Sequence, residues 1–282
     1  MLGVCERDVS DGQGESDVTG SARGGAREAG DSPARLRAPS PARALHRALA
    51  AHGAYVIALL LALDGALVVG RRRLDHGRPS GYDFLSWNLA LALVPYAVSV
   101  GVAALRWSAP LRRWPLLPLY GLWLLFLPNA PYLLTDFIHL RMTSPRQVWY
   151  DSALLGTYAA TGYALAIVSL DIMRRPVRAA LGRGASRFFA LGAAVLAGLG
   201  VHLGRVQRYN SWDALAHPWA VLADALDRVA HPLKHARTTA DALFYAALLL
   251  GGYALYQALG STRWGDRTRS SRGRRARGDG LA

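Results

Sequence analysis

Six runs of about 18 to 24 mainly apolar residues, at 53–70, 84–105, 115–136, 150–173, 187–207 and 242–260, decide what this chain can fold into. A helix rises about 1.5 Å per residue, so about 20 residues cross the roughly 30 Å hydrocarbon core of a bilayer. Helices in soluble cores are usually shorter and apolar along one stripe only. Six such runs between two polar ends read as an all-α, polytopic membrane protein with about six transmembrane helices. The segment after the fifth run places Trp219, Leu222, Leu226 and Val229 at helical spacing, with Asp224, Asp227 and Arg228 on other faces. That pattern predicts one extracytoplasmic helix lying in the interface rather than a seventh crossing.

The net charge of +14 would suit nucleic acid if it were gathered on one surface. It is not. Residues 1–50 carry seven Arg and seven acidic residues, whereas the tail after Gly260 carries seven Arg against two Asp. The remaining excess sits in short segments beside the apolar runs, where basic residues set topology and attract anionic headgroups. Membrane lipids are therefore the expected partners and nucleic acid is not; no protein partner is indicated. With a cytoplasmic N-terminus, 22 of the 33 basic residues lie in inside segments, which favours both termini in the cytoplasm of a cytoplasmic-membrane protein. Arg71, Arg72 and Arg73 count against that orientation unless they snorkel to the headgroups. The chain divides into a disordered polar tail (1–50), a transmembrane domain (51–260) and a basic disordered tail (261–282). The single cysteine, Cys5, excludes an internal disulfide and any cysteine-based metal site. No phosphate loop, dinucleotide fingerprint or nucleophile motif occurs, so no cofactor and no metal is expected.

The chemistry-bearing residues gather at run ends. In the third run, Pro128-Asn129-Ala130-Pro131 interrupts the apolar stretch and Tyr132, Thr135, Asp136 and His139 follow. At about 100° per residue those four fall within roughly a 100° arc. The two prolines remove backbone donors and free the carbonyls of Leu124 and Leu127, which Asn129, another helix or water would satisfy. Pro131 is also a candidate start for a fresh half-helix, with Ala130 pushed out of helical geometry. In the fifth run Gly200 and Gly204 permit a close helix approach, while His202, Arg205 and Tyr209 share a face within about 60° on roughly the opposite side. With the positive-inside topology, Asp83, Asn88, Asp151 and Asp241 join these residues at the outer end. The candidate binding residues are Asn129, Tyr132, Asp136, His139, Asp151, His202, Arg205, Tyr209, Asn210, Trp212 and Asp213.

Several chemistries are open to this set. Asp136 with Arg205 makes an ion pair across the third and fifth crossings, a clamp by default and a carboxylate or phosphate site by extension. Asp136 with His139 offers acid–base groups for an enzyme acting on lipid or envelope substrates. Asp136, His139 and His202 are suitable metal ligands but lack any tight ligand spacing. Asp64 stands apart in the first run, a lone carboxylate that is either a functional group or a neutral hydrogen-bonding one. Solute binding or transport, envelope enzymology and a structural partnership all remain open.

Pro128-Asn-Ala-Pro-Tyr-Leu-Leu-Thr-Asp-Phe-Ile-His-Leu140 resembles the signature of a bacterial membrane-protein family known as domain of unknown function 1361. Trp149-Tyr150-Asp151 and Leu203-Gly-Arg-Val-Gln-Arg-Tyr-Asn-Ser-Trp-Asp213 extend the resemblance over about residues 84–260. It implies a polytopic inner-membrane protein and brings no activity with it.

Overall fold

A computed structural model of the chain describes residues 41–51, 53–76, 81–108, 116–209 and 213–278. Among these residues every regular element is helical: α1 (Pro41–Ala51), α2 (Ala54–Leu74), α3 (Phe84–Ser108), α4 (Leu117–Phe126), α5 (Asn129–Tyr132), a 3₁₀ segment (Leu133–Met142), α6 (Val148–Val206), α7 (Asp213–Ala216), α8 (Pro218–Ala230) and α9 (Ala236–Gly278). Among the described residues five stretches are long and apolar enough to cross a membrane: Ala54–Leu74, Phe84–Arg106, Leu117–Arg141, Val148–Val206 and Ala236–Leu259.

The fourth of these crosses twice. Its helical geometry breaks at Gly182, whose φ of 87° favours a residue without a Cβ. Arg174 Nε donates to the Ser186 carbonyl at 3.2 Å across this break. In an unbroken helix residues twelve apart lie about 18 Å from each other, so the chain has doubled back. Tyr120 shows the same reversal: its hydroxyl donates to the Met173 carbonyl at 3.0 Å and its ring meets Phe189 edge-on at 5.8 Å. The two arms of α6, 148–181 and 183–206, complete the six expected crossings.

The burial pattern is that of a membrane protein. On α2 the buried residues are Ile57, Asp64, Val68 and Arg71, one helical face, while Val56, Leu59, Leu63 and Val69 point outward. Burying Asp and Arg while exposing leucine is costly in water and natural in lipid, where the exterior has no need to be polar. Around the two arms of α6 the other crossings pack, with α9, α3 and α2 against it. Glycine sets how closely they approach. A Cβ at Gly198 would land on the Ala242 backbone of α9, and one at Gly162 on the Ala130 carbonyl of α5.

Two differences from the sequence reading lie at the ends. Residues 41–50 of the polar tail, together with Ala51, form α1, whose Leu49 packs against the core. Leu49, behind Pro41 at the helix start, supplies the apolar contact, while Leu45 points outward. At the other end α9 continues through the basic residues as far as Gly278.

α8 has two faces: Ala225 packs against Leu199, Leu203 and Ala242, while Trp219, Leu222, Leu226 and Val229 point outward. A turn then ties it to α9, where Asp227 pairs with His235 at 2.8 Å and Lys234 at 3.3 Å. His235 and then Lys234 hold the Asp227 carboxyl down from 3.8 to about 2. A carboxyl lowered by folding contributes its stabilisation fully above its unfolded value and loses it as pH falls through the folded one. Protonation of Asp227 is therefore expected to loosen the 231–235 turn as pH falls from 3.8 to about 2. A carbon-13 NMR titration of Asp227 checks this, and Lys234→Ala should move the midpoint upward.

Candidate functional site

The site begins with the two prolines. α4 ends at Phe126, α5 adds one turn, and the chain then tightens into a ten-residue 3₁₀ helix. No fresh half-helix starts at Pro131. Ala130 stays helical, and its amide donates to the Leu127 carbonyl at 3.2 Å, supplying one partner the prolines had put in doubt. Asn129 Nδ2 takes the Phe126 carbonyl instead, at 3.0 Å. The tighter helix also changes which side chains share a face, because residues three apart eclipse in a 3₁₀ helix. Leu133, Asp136 and His139 form one row, and Thr135 lies off it. Leu133 and Asp136 point inward with 0% and 1% exposure.

Asp136 meets three neighbours from different elements. Asn88 Nδ2 of α3 donates to Oδ2 at 3.2 Å, and Arg205 Nη1 of α6 lies 3.5 Å from Oδ1. The third is its own segment's His139, whose Nδ1 bonds the Asp136 backbone carbonyl at 3.0 Å rather than the carboxylate. The His139 ring packs on Phe84 at 4.7 Å, so the acid–base pair expected from spacing is not assembled. Arg205 also donates to the Tyr132 hydroxyl and the Thr135 carbonyl, each at 3.3 Å, and lies over the Tyr132 ring at 5.8 Å.

His202 and Arg205, expected on one polar face, serve different neighbours. His202 turns to α9, with Nδ1 2.8 Å from Asp241 Oδ2 and Nε2 3.0 Å from Thr238 Oγ1. Asp136, His139 and His202 are therefore not gathered, and no cluster of three His, Cys, Asp or Glu suited to a metal occurs among the described residues.

Asp151 belongs to a separate charged centre. It is fully buried and accepts from Arg71 Nε at 2.6 Å. Arg71 also reaches Gln147 at 3.0 Å, pairs with Asp75 and lies over the Tyr82 ring. Snorkelling is thus the wrong description of Arg71: a carboxylate inside the bundle holds it there. Arg71 in turn holds the Asp75 carboxyl below its ordinary value. Asp83 pairs at the surface with Arg72 at 2.7 Å. Asp213 opens α7, and its carbonyl accepts from the His217 amide at 2.7 Å. Asn210 and Trp212 lie outside the described residues.

Beside the Asp136 network is a cavity of about 250 Å³ between α3, α4, the second arm of α6 and α8. Trp87, Asn88, Asn129, Tyr132 and Tyr209 form its polar end, and Leu91, Leu124, Leu125, Leu196 and Leu199 line the rest. Gly200 lets the Pro128 ring seat against the helix, and Gly204 faces the Tyr132 ring. Tyr209 is brought in by the end of α6. Arg208 takes φ 61°, and the Tyr209 amide donates back to the Leu203 carbonyl at 3.3 Å, closing a left-handed helix cap. Neither Asp136 nor Arg205 lines the cavity. They stand behind it and orient the groups that do. Arg205 donates to the Tyr132 oxygen, leaving the Tyr132 proton to give; Asn88 spends an N–H on Asp136, leaving its carbonyl to accept. Sequence reading singled out Asn129, Tyr132 and Tyr209 but not Trp87 or the leucines, because a cavity-lining leucine has the same composition signal as a lipid-facing one.

Apolar exterior, buried ion pairs and six crossings define a polytopic α-helical membrane protein. The chain belongs to the family described as protein of unknown function (DUF1361), whose model matches residues 87–251. That range holds the whole cavity and the Asp136–Arg205 pair, and leaves out α2 with Asp64 and Arg71. No curated protein and no solved structure matches the chain.

Proposed function

We propose that this protein binds an amphipathic molecule with an uncharged, hydrogen-bonding head in the cavity between α3, α4 and the second arm of α6. The observation that supports it is the mixed cavity lining, in which the amide and phenol groups of Asn88, Asn129, Tyr132 and Tyr209 join leucines from α3, α4 and α6. Ligand sites are commonly apolar with a few placed polar groups that fix orientation. A simple anionic solute suits this cavity less well. To meet it, Arg205 would have to leave Asp136, which is 1% exposed, and stranding a buried charge costs about 3–5 kcal/mol.

The polar end faces the extracytoplasmic side of a cytoplasmic membrane in this reading, as the basic-residue count favours. α8 then lies in the outer interface with Trp219, Leu222, Leu226 and Val229 against lipid, and its Val221 adds to the cavity lining. An amphiphile entering from the outer leaflet meets the polar groups at headgroup depth and the leucines below them. Native mass spectrometry of the purified protein tests this. Wild type should carry an amphiphile of defined mass. Leu125→Trp, which fills the cavity from its wall, should lose it, and Leu63→Trp on the outward face of α2 should keep it. The same adducts on all three proteins would refute the proposal.

A further inference from the structure

We propose that the hairpin joining the two arms of α6 is a binding site for an anionic phospholipid, whose phosphate is held by Arg178, Arg183 and Arg187. The hairpin, residues 174–187, carries five arginines and no acidic residue, and the chain has no Asp or Glu between Asp171 and Asp213. Its turn is made at Gly182. Arg183 follows that glycine directly, and Arg178 and Arg187 lie within about 8 Å of it along their arms at 1.5 Å per residue. That distance is about one Debye length at physiological salt, so the three charges are not screened from one another.

The other two arginines are already engaged. Arg175 Nε and Nη2 donate to Asp171 Oδ2 at 3.0 and 2.6 Å. Asp171 Oδ1 accepts from the Tyr253 hydroxyl at 3.0 Å and from Gln257 Nε2 at 3.3 Å, both on α9. Arg174 donates to the Ser186 carbonyl and, at 2.8 Å, to the Tyr253 hydroxyl. These two close the hairpin and fasten it to α9, and in doing so they use up both oxygens of the one nearby carboxylate. Arg178, Arg183 and Arg187 are exposed, and among the described residues they pair with no acidic side chain.

The apolar side chains beside them decide which anion fits. Leu181 and Phe188 are 66% and 77% exposed. A nucleic acid or an acidic peptide would neutralise the guanidiniums and leave both of these side chains in water, at a hydrophobic cost. A phospholipid presents its phosphate next to acyl chains and so meets both. Guanidinium forks match phosphate oxygens two at a time. A zwitterionic headgroup brings a cation of its own to three like charges, whereas an anionic one does not. In the orientation that the basic-residue count favours, the hairpin faces the cytoplasmic leaflet, whose anionic lipids attract basic segments. None of these residues lines the cavity described above, so the inference holds or fails independently of the proposed amphiphile.

Native mass spectrometry of the full-length protein, released from nanodiscs of equal phosphatidylglycerol and phosphatidylcholine, tests the site. Wild type should retain phosphatidylglycerol in preference to phosphatidylcholine. Changing Arg178, Arg183 and Arg187 together to Gln should lower that preference about tenfold, as expected when three surface guanidiniums are lost, while Arg174 and Arg175 still close the hairpin. Benzoylphenylalanine at Leu181, with every arginine intact, should crosslink mainly phosphatidylglycerol, which places the lipid even if the triple variant misfolds. Glycerol 1-phosphate, the headgroup chemistry without chains, should not compete at equal concentration. Equal retention of the two lipids by wild type overturns the proposal. So does a preference that survives in the folded triple variant, since the basic tail would then be its source. Crosslinks at Leu181 that merely follow the nanodisc composition overturn it too, as does displacement by glycerol 1-phosphate, which would make the site one for a soluble anion.

Discussion

Replacing Arg71 by methionine is expected to destabilise the bundle by about 3–5 kcal/mol, the usual penalty for stranding a buried charge. The stranded group is Asp151, fully buried and held by Arg71 Nε at 2.6 Å. Gln147 and Asp75 lose the same partner, so the junction of α2 with the start of α6 loosens as a unit. The pair as a whole is a different matter, because removing both charges removes the desolvation cost together with the attraction. Arg71→Met combined with Asp151→Leu should therefore recover most of the loss. Thermal unfolding of the purified single and double variants gives the coupling directly. Equal losses in Arg71→Met and the double variant would show that the carboxylate is not what the missing guanidinium leaves exposed.

Gly198→Leu should be comparably damaging, for a steric reason. The new Cβ falls on the Ala242 backbone, which cannot rotate aside as a side chain can. Overpacking usually costs about 1–3 kcal/mol, and this substitution belongs at or above the top of that range. Forcing the helices apart also pulls His202, one turn along, from Asp241 and Thr238 on α9. Gly192→Leu, on the same arm of α6 with nothing near its Cβ position, should be tolerated. Thermostability of both variants by size-exclusion chromatography separates close packing from general intolerance of leucine in this helix.

The crossings were legible because run length alone reports on the bilayer: a stretch of about 20 apolar residues means the same thing in any neighbourhood. What lies inside them was less so. The arc drawn through Tyr132, Thr135, Asp136 and His139 assumes α-helical rotation, whereas the segment after the prolines is a 3₁₀ helix, which sets Leu133, Asp136 and His139 in one row and leaves Tyr132 and Thr135 in another. His202 and Arg205 are close in angle, yet two neighbouring crossings divide their narrow polar face between them. The Arg71–Asp151 pair spans eighty positions, and no local spacing announces it. Of the polar residues at run ends, Asn129, Tyr132 and Tyr209 line the cavity. The leucines that shape its apolar part became distinguishable only once packing had decided which of them face lipid.

The cavity lined by Asn88 and Tyr132 is proposed to hold a specific amphiphile rather than bulk lipid. Photo-crosslinking in intact membranes tests it most directly, with benzoylphenylalanine placed at Leu91 inside the cavity and, separately, at Leu63 on the outward face of α2. A single dominant adduct at Leu91 that is missing at Leu63 is the predicted result. The same mixture of phospholipid adducts at both positions would contradict it.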